Sequence, residues 1–479
     1  MALNPGQTHQ QPEEDVISKL MDDVLLSILE KVSLTTLVRV SALSRRWRRL
    51  PPLLTQLSID VKDFLREPYA DPAVDDHIDR AMLSLRDAAR SVLAPGSRRC
   101  AVSRLRISLF VTSSYSSEVG HLVNGAIENG MVEGIELTSG VERIPFDVSS
   151  EETARHADSV NGFFAKYPSI PCHLRTLRLY NATFTETDMH NLIGNACTQL
   201  RYLYLFQCDT GPRKSFRIDA PSSALSKLEF FSCHSKQVEI ACLPKLELLI
   251  SGYWSSPYLP LTLGDVPCLE EVEIYCSAES YQGPFKLSEL LCHTRINRLT
   301  LDFLGQKVWL RPEKHQLRSA FSNLSGLSLA GIFVGFGLLW IVALLEVAPA
   351  LEILHIEVDD HTCRDEKQML ETFGERTNGS WEVSESATRF PLMKELLLEG
   401  FNATEEHVAF VGTIMERASS LQSVILKEQY CQKCAAMGES LTQFRYPKNE
   451  DEKVAVVNKF RNRFSSRAEI IFSDHKFSK

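Results

Sequence analysis

The sequence predicts an α/β protein in which a small all-α module precedes a solenoid of repeated short strands. One pattern, apolar-x-x-apolar-x-apolar, recurs twelve times between residues 102 and 426. Before it, between residues 20 and 50, two short apolar stripes follow helical spacing. The chain has 479 residues, which is more than one ordinary core accommodates and suits an elongated array of repeats.

Composition and charge narrow the class of protein. A hydrophobic content of 44% with 24% charged residues is typical of a folded globular chain. The net charge of -9 disfavours nucleic acid as the main partner, because phosphate binding needs a basic surface. The first residues are polar and lack the apolar core of a secretion signal. We therefore expect a cytoplasmic or nuclear protein whose 12 cysteines are reduced.

The N-terminal region divides into a disordered tail, residues 1–14, and a helical module, residues 15–55. Asp22 suits the first turn of a helix, where a carboxylate offsets the helix dipole. Serine and threonine side chains of the capping type then interrupt the first stripe, and a second one runs to Trp47. A proline pair beginning at Pro51 ends the helical spacing. Trp47 is expected to be a buried anchor of this module.

The segment LMDDVLLSILEKVSLTTLVRVSALSRRWRRL resembles an F-box, whose pattern runs from Leu-Pro to Ser-basic-basic-Trp-basic. Met21 stands where that family usually has proline. The resemblance implies binding to a Skp-family adaptor that links the chain to a cullin–RING ubiquitin ligase, with Leu20, Met21, Leu25 and Ile28 on the adaptor-binding face. Independently of the resemblance, a module of this size rarely folds without a partner surface.

The repeated pattern predicts twelve strands. They begin at Val102, Val132, Leu174, Leu200, Leu225, Leu243, Leu269, Ile296, Leu324, Leu351, Met393 and Leu421. Most intervals lie within or near the leucine-rich-repeat range of about 20–29 residues. Two intervals of 42 residues, from 132 to 174 and from 351 to 393, fit insertions around 139–171 and 361–390. We expect a leucine-rich-repeat solenoid over residues 98–430, with a curved parallel sheet, the leucines inside, and helical or irregular segments on the convex side.

The flanks of the array are expected to cap it. Residues 56–97 should hold a linker and a cap helix, because residues 76–93 are amphipathic. The ending VAVVNKFRNRFSSRAEIIF, within residues 431–479, resembles the FBD-like region of plant F-box/leucine-rich-repeat proteins. The order of elements therefore resembles that family over most of the chain.

Two other signals favour ordinary structure. The uncharged stretch 329–345 approaches the length of a membrane span, but three glycines interrupt it and a buried helix explains it better. Cys431 and Cys434 form a lone CxxC, and zinc would need further ligands such as His361 and Cys363. No catalytic motif accompanies the titratable residues. We therefore expect neither an enzyme nor a cofactor.

The residues between the core leucines of neighbouring strands include many aromatic side chains, which would form a column on the concave face. The candidates for target binding are Tyr180, Tyr202, Tyr204, Phe206, Phe231 and Tyr275. Aromatic anchors are common at protein interfaces. Lateral packing between adjacent strands explains the same residues equally well.

The resemblance implies a substrate-recruiting F-box subunit of a ubiquitin ligase, whose partners are an adaptor, a cullin core and a target protein. A leucine-rich-repeat scaffold unconnected with ubiquitination is the alternative, motivated by Met21. Sensing of a small molecule is a third hypothesis. The sequence supports it little, because no basic cluster that could hold an anionic ligand falls on the predicted concave positions.

Overall fold

The structure is a computed structural model. It describes residues 17–65, 75–94, 96–141, 148–211, 214–233, 235–254, 256–276, 279–292, 294–311, 313, 315–359, 366–375, 388–429 and 446–473. The predicted tail and the residues Cys431, Cys434, His361 and Cys363 lie outside these ranges.

The described residues contain the following helices and strands. The α-helices are α1 (Asp22–Leu29), α2 (Leu34–Ser41), α3 (Arg45–Arg49), α4 (Asp75–Leu93), α5 (Ser116–Glu128), α6 (Ser150–Lys166), α7 (Ser169–Cys172), α8 (Glu186–Asn191), α9 (Leu287–Leu291), α10 (Ile341–Leu345), α11 (Glu366–Phe373), α12 (Glu405–Arg417) and α13 (Glu450–Arg463). The strands are β1 (Gln56–Asp60), β2 (Arg104–Leu109), β3 (Ile135–Ser139), β4 (Leu174–Thr183), β5 (Tyr202–Asp209), β6 (Ser215–Asp219), β7 (Lys227–Phe231), β8 (Gln237–Cys242), β9 (Leu248–Gly252), β10 (Leu261–Asp265), β11 (Glu271–Tyr275), β12 (Arg298–Asp302), β13 (Gly326–Phe333), β14 (Ile353–Asp359), β15 (Glu395–Glu399), β16 (Ser423–Lys427) and β17 (Glu469–Ser473).

The chain forms two compact units. The N-terminal unit comprises residues 1–139 and 162–174, and the C-terminal unit comprises residues 140–161 and 175–479. Each is described below by itself.

Helices α1 to α3 form the predicted helical module of the N-terminal unit. The Ser33 hydroxyl accepts a hydrogen bond from the Thr36 amide at 3.2 Å, and the Ser44 hydroxyl accepts one from the Trp47 amide at 3.3 Å, so serines cap α2 and α3. Leucines fill the interior of the module: Leu25, Leu29, Leu34, Leu37, Leu50 and Leu54 are buried. Trp47 is only half-buried, so the prediction that it is a buried anchor is wrong. The leucines on the inner faces of α1 and α2 take that role.

The N-terminal unit also contains three parallel strands. β1 pairs with β2, and β2 pairs with β3. The predicted amphipathic helix is α4, with its apolar face buried through Met82 and Leu85. The segment expected to hold only a linker and this helix also holds β1, a strand outside the repeat pattern. The Glu30 carboxylate joins the helical module to the start of β1, because it accepts hydrogen bonds from Thr55 and from the Gln56 amide.

The C-terminal unit is built on a long parallel sheet. Its strands follow the order β4-β5-β7-β9-β11-β12-β13-β14-β15-β16-β17. One apolar side chain per strand stacks in register to form a buried ladder: Leu177, Leu203, Leu228, Leu249, Val272, Leu299, Leu327, Leu354, Leu396 and Val424. Neighbouring repeats therefore share one continuous core, as in a leucine-rich-repeat solenoid.

The predicted register is wrong at one strand. The pattern places Leu243, Leu246 and Leu248 inside, whereas Leu249 of β9 pairs with the buried Leu228 and Leu248 is half-buried. The run of apolar residues here fits both registers, and pairing with β7 selects one. Leu243 instead follows β8, which lies in a separate three-stranded parallel sheet of order β10-β8-β6. These strands occupy the return segments of the repeats, where the sequence predicts helical or irregular structure.

The end of the C-terminal unit continues the sheet. β17 pairs with β16, so part of the segment predicted as a C-terminal cap belongs to the strand array. α13 precedes this strand and buries Val456 and Phe460. The apolar stretch 329–345 contains the end of β13 and the short buried helix α10. Among the described helices, none has the length and apolar character needed to cross a membrane.

Candidate protein-interaction surfaces

The helical module carries an exposed apolar surface. Met21 and Leu43 are 71% and 72% exposed, which is unusual for large apolar side chains. The other exposed members are Val24, Ile28 and Val38. We call these five residues the apolar helical surface. Met21, Val24 and Ile28 follow the spacing of one helical face, and exposed apolar patches mark interaction sites in soluble proteins.

Met21 occupies the position at which α1 begins. Its φ of −67° is close to the value that a proline ring imposes, so the backbone at Met21 has the φ that proline would have. The Arg46 guanidinium holds this turn, because it pairs with the Asp22 carboxylate at 2.7 Å and donates a hydrogen bond to the Leu20 carbonyl oxygen. Met21 therefore has a backbone φ that proline would also adopt, and an exposed side chain.

The four residues predicted for adaptor binding differ in their exposure to solvent. Met21 and Ile28 are exposed, and Leu20 is half-buried. Leu25 is 0% exposed, because it faces the interior of the module one turn away from Met21. Leu25 is therefore a core residue and offers no surface to a partner in this conformation. Val24, Val38 and Leu43 were missed. Val24 and Val38 are next to the buried Leu25 and Leu37 on their helices, a spacing that indicates an outward position.

The strands of the C-terminal unit present an outer sheet face, formed by the side chains that point away from the buried ladder. Predicted target-binding residues lie on it in register: Tyr180 pairs with Phe206, Phe206 with Phe231, and Arg178 with Tyr204. Each of these aromatic residues is half-buried. A column of rings was therefore predictable from the alternation of the strands.

The rings are in mutual contact. Tyr180 lies 5.4 Å from Tyr204, Tyr204 lies 6.0 Å from Phe231, and Phe231 lies 6.1 Å from Tyr275, measured between ring centroids. Tyr180 also approaches Phe206 at 5.9 Å. Such separations are typical of attractive aromatic pairs. The rings therefore pack laterally, as the second interpretation expects. They still expose part of their surface, and their role in target binding stays a prediction.

Tyr253 completes the column and was missed by the sequence analysis. It is 48% exposed, has a left-handed φ of 55°, and lies 6.1 Å from Phe231. The preceding residue is Gly252, where an added Cβ would lie 2.9 Å from the Tyr275 Cβ. Because Gly252 has no side chain, the rings of Phe231 and Tyr275 are in contact across β9. We define the aromatic column as Tyr180, Tyr204, Phe206, Phe231, Tyr253 and Tyr275.

Tyr202 lies beside the aromatic column and makes cation–π contacts with two basic side chains of the same chain. The Arg178 guanidinium and the Lys227 ammonium lie 5.3 and 4.9 Å from its ring centroid. Lys227 also pairs with Glu229 at 2.7 Å. Burial, and then the neighbouring Glu229, raise the pKa of Tyr202. Tyr202 is therefore engaged in contacts within the chain, and its role in target binding stays a prediction.

Carboxylates border the other end of the column. The Tyr275 hydroxyl donates a hydrogen bond to the Glu273 carboxylate at 2.6 Å. Burial, and then this hydrogen bond, raise the pKa of Tyr275. The described residues contain no cluster of histidine, cysteine, aspartate and glutamate that could hold a metal ion.

The parallel sheet, its ladder of leucines and the apolar helical surface define an F-box/leucine-rich-repeat protein. The family model described as At1g61320/AtMIF1, LRR domain, matches residues 164–454, and the F-box domain model matches residues 17–51. The first match covers more than half of the chain. The chain therefore belongs to this leucine-rich-repeat family and carries an F-box, which confirms the resemblance to plant proteins of this architecture.

Several relatives are proteins of Arabidopsis thaliana. The F-box/LRR-repeat protein At3g26922 is 26% identical over 44% of this chain and 65% of its own length. The putative F-box/FBD/LRR-repeat protein At3g49030 is 25% identical over 60% of this chain and 63% of its own. The F-box/FBD/LRR-repeat protein At1g80470 is 24% identical over 65% of this chain and 67% of its own. The chain thus spans less than two thirds of the first two relatives.

A solved leucine-rich-repeat-containing protein, LegL7 from Legionella pneumophila, aligns with 86% of this chain and all of its own. The TM-score is 0.27 and the identity 10%. These values are too low to support any argument about this chain.

Proposed function

We propose that this chain is a substrate-recruiting subunit of a cullin–RING ubiquitin ligase. In this proposal the apolar helical surface binds a Skp-family adaptor, and the outer sheet face binds the protein to be ubiquitinated. The subunit supplies proximity between ligase and target, and no chemical step of its own. The observation that carries the proposal is the exposure of Met21 and its apolar neighbours on an F-box.

The adaptor contact can be tested with the full chain and a purified Skp-family adaptor. The double variant Met21→Asp/Ile28→Asp places two charges on the apolar helical surface without changing the buried leucines. Burying a carboxylate in an apolar interface is costly, so we expect adaptor binding to weaken by more than about tenfold. Isothermal titration calorimetry measures the change.

The matched control is Leu392→Asp, which charges an exposed leucine (48% exposed) of the C-terminal unit. It should bind the adaptor like the unchanged chain. If Met21→Asp/Ile28→Asp also retains full affinity, the adaptor does not use this surface and the ligase proposal fails.

The target contact can be tested on the aromatic column. Tyr204→Ser/Phe231→Ser removes two half-buried rings while leaving the inward leucines in place. Expression of the unchanged chain in cells should lower the abundance of its target proteins. We expect no such fall when the aromatic variant is expressed, and none with the adaptor variant. Quantitative proteomics provides the readout. An identical set of depleted proteins with the aromatic variant would place the target contact elsewhere.

A further inference from the structure

The C-terminal part of the outer sheet face differs from the aromatic column. On β15, β16 and β17 the central outward residues are Leu397, Ile425 and Ile471, and they lie in register with one another. Leu397, Ile425 and Ile471 form an apolar strip that crosses three strands, and it does not contribute to the buried ladder. Ile471 is 37% exposed, and Ile353 of β14, which is 48% exposed, lies in register with Glu395 at the N-terminal edge of the strip.

Carboxylates border the strip on both sides. Glu357 and Glu399, which pair in register, lie beyond its C-terminal edge, and Glu395 and Glu469 lie beyond its N-terminal edge. Lys427 is the cation on these outward positions of β14 to β17, and its ammonium already pairs with the Glu399 carboxylate at 2.6 Å. Within the described residues, no ion pair reaches Glu357, Glu395 or Glu469. The surface therefore carries an excess of negative charge.

The pKa of Glu357 reflects both its burial and the carboxylates around it. Burial and then electrostatic repulsion raise its pKa from 4.5 to about 7, against the opposing effect of Lys427. The repelling groups are the neighbouring carboxylates Glu399, Asp302 and Asp359. His355, on the same strand, has a pKa lowered by burial and supplies no compensating charge at neutral pH. A cation of a partner would therefore relieve an existing repulsion.

The spacing of the two carboxylate lines indicates the shape of the partner. Glu395 and Glu399 are four residues apart on one strand, a separation of about 13 Å at 3.3 Å per residue. An α-helix with its side chains is about 10–12 Å wide. A helix laid along the apolar strip would thus have a carboxylate line on each flank.

From this geometry we propose that the outer face of β14–β17 is a docking site for a basic amphipathic helix of a partner protein. The helix would place its apolar stripe on Leu397, Ile425 and Ile471, and its lysine or arginine side chains between the two carboxylate lines. This site uses strands other than those of the aromatic column. It does not depend on adaptor binding, so either proposal can fail alone.

The probe is a fluorescein-labelled leucine/lysine peptide of about 14 residues, enough for four helical turns with all leucines on one side. Fluorescence anisotropy with the full chain measures binding. We expect the double variant Glu357→Gln/Glu395→Gln to bind about tenfold more weakly than the unchanged chain, and the affinity of the unchanged chain to fall as salt is added. Ile471→Asn should also weaken binding, because it interrupts the apolar strip.

The matched control is Glu406→Gln/Glu416→Gln, which removes two exposed carboxylates from α12. It should bind like the unchanged chain. A peptide of the same composition with scrambled order, which has no apolar side, should bind more weakly. Equal affinities for the two peptides, or equal losses in the two double variants, would overturn the proposal. Adaptor binding by Glu357→Gln/Glu395→Gln should be unchanged, which separates this test from that of the ligase function.

Discussion

Several outward residues of the sheet are followed by a residue with a left-handed backbone. Asn181, Gln207, Ser232 and Tyr253 have φ values between 51° and 55° at the positions that follow outward residues of β4, β5, β7 and β9. Left-handed angles are unfavourable for most side chains and persist where the surroundings enforce them. At Asn181 the reason is visible, because its amide donates a hydrogen bond to the Val141 carbonyl oxygen at 2.9 Å.

Glu357 makes stability depend on pH in a defined direction. Its folded pKa of about 7 exceeds the ordinary value of 4.5, so between these pH values the folded chain holds a proton that the unfolded chain has released. Stability is therefore lost as pH rises from about 4.5 to 7. We expect Glu357→Gln to raise the unfolding free energy by about 1–2 kcal/mol at pH 8, after allowing for partial exposure.

The effect of Glu357→Gln should vanish near pH 4.5, where the glutamate is protonated in the folded chain. Urea denaturation at the two pH values measures it. The control Glu406→Gln, on an exposed position, should change nothing at either pH. A stabilisation that is equal at both pH values would contradict the assigned pKa.

Packing between elements depends on close approaches that a single methyl group would prevent. Gly412, on the buried side of α12, faces the Phe464 ring that follows α13, and an added Cβ would lie 2.0 Å from the Phe464 Cζ. The Glu405 carboxylate also joins the two helices, because it pairs with Lys459 at 2.6 Å and with Arg463 at 2.7 Å. These pairs lower the pKa of Glu405 to about 2.

We expect Gly412→Ala to destabilise the chain by about 1–2 kcal/mol, because the Phe464 ring must leave its site. Hydrogen exchange should become faster in α13, and the unfolding free energy should fall. In a Phe464→Ala background the same change should cost little. Gly125→Ala is the matched control: Gly125 lies in α5 with open space at its Cβ, and alanine there should be neutral or stabilising. If Gly412→Ala is as harmless as Gly125→Ala, the packing argument is wrong.

The whole molecule is expected to behave as a repeat array whose stability comes from contacts between neighbours. Leu396 of β15 is fully buried and pairs in register with Leu354 and Val424. We expect Leu396→Ala to cost about 2–5 kcal/mol, with faster hydrogen exchange in β14, β15 and β16 and no change in β2 or β3. Leu397→Ala, on the outer face of the same strand, should have a much smaller effect. Uniform acceleration over all strands would mean that the chain unfolds as one cooperative body.

Local patterns alone predict the interior of this protein, because an inward leucine must recur at the same place in every repeat to share one core. The F-box segment, α4 and eleven of the twelve repeat strands in their predicted register follow from such patterns. β9 did not, since its apolar run fits two registers and only pairing with β7 decides between them. Leu25, expected on the adaptor-binding face, is buried, and Trp47, expected to be buried, is half-buried. Both residues fit an apolar stripe, and only the packing of α1 to α3 determines which one is enclosed.

Which residues come together on the outer surfaces is decided only by the tertiary structure. Tyr253 joins the aromatic column through a left-handed backbone and the gap at Gly252, neither of which has a periodic signal. The carboxylates Glu357 and Glu399 become neighbours although 42 residues separate them, because two strands pair in register across an insertion. Repetition in the sequence establishes which residues face inward. Which outward residues meet depends on the alignment of distant strands, and that alignment is made only when the chain folds.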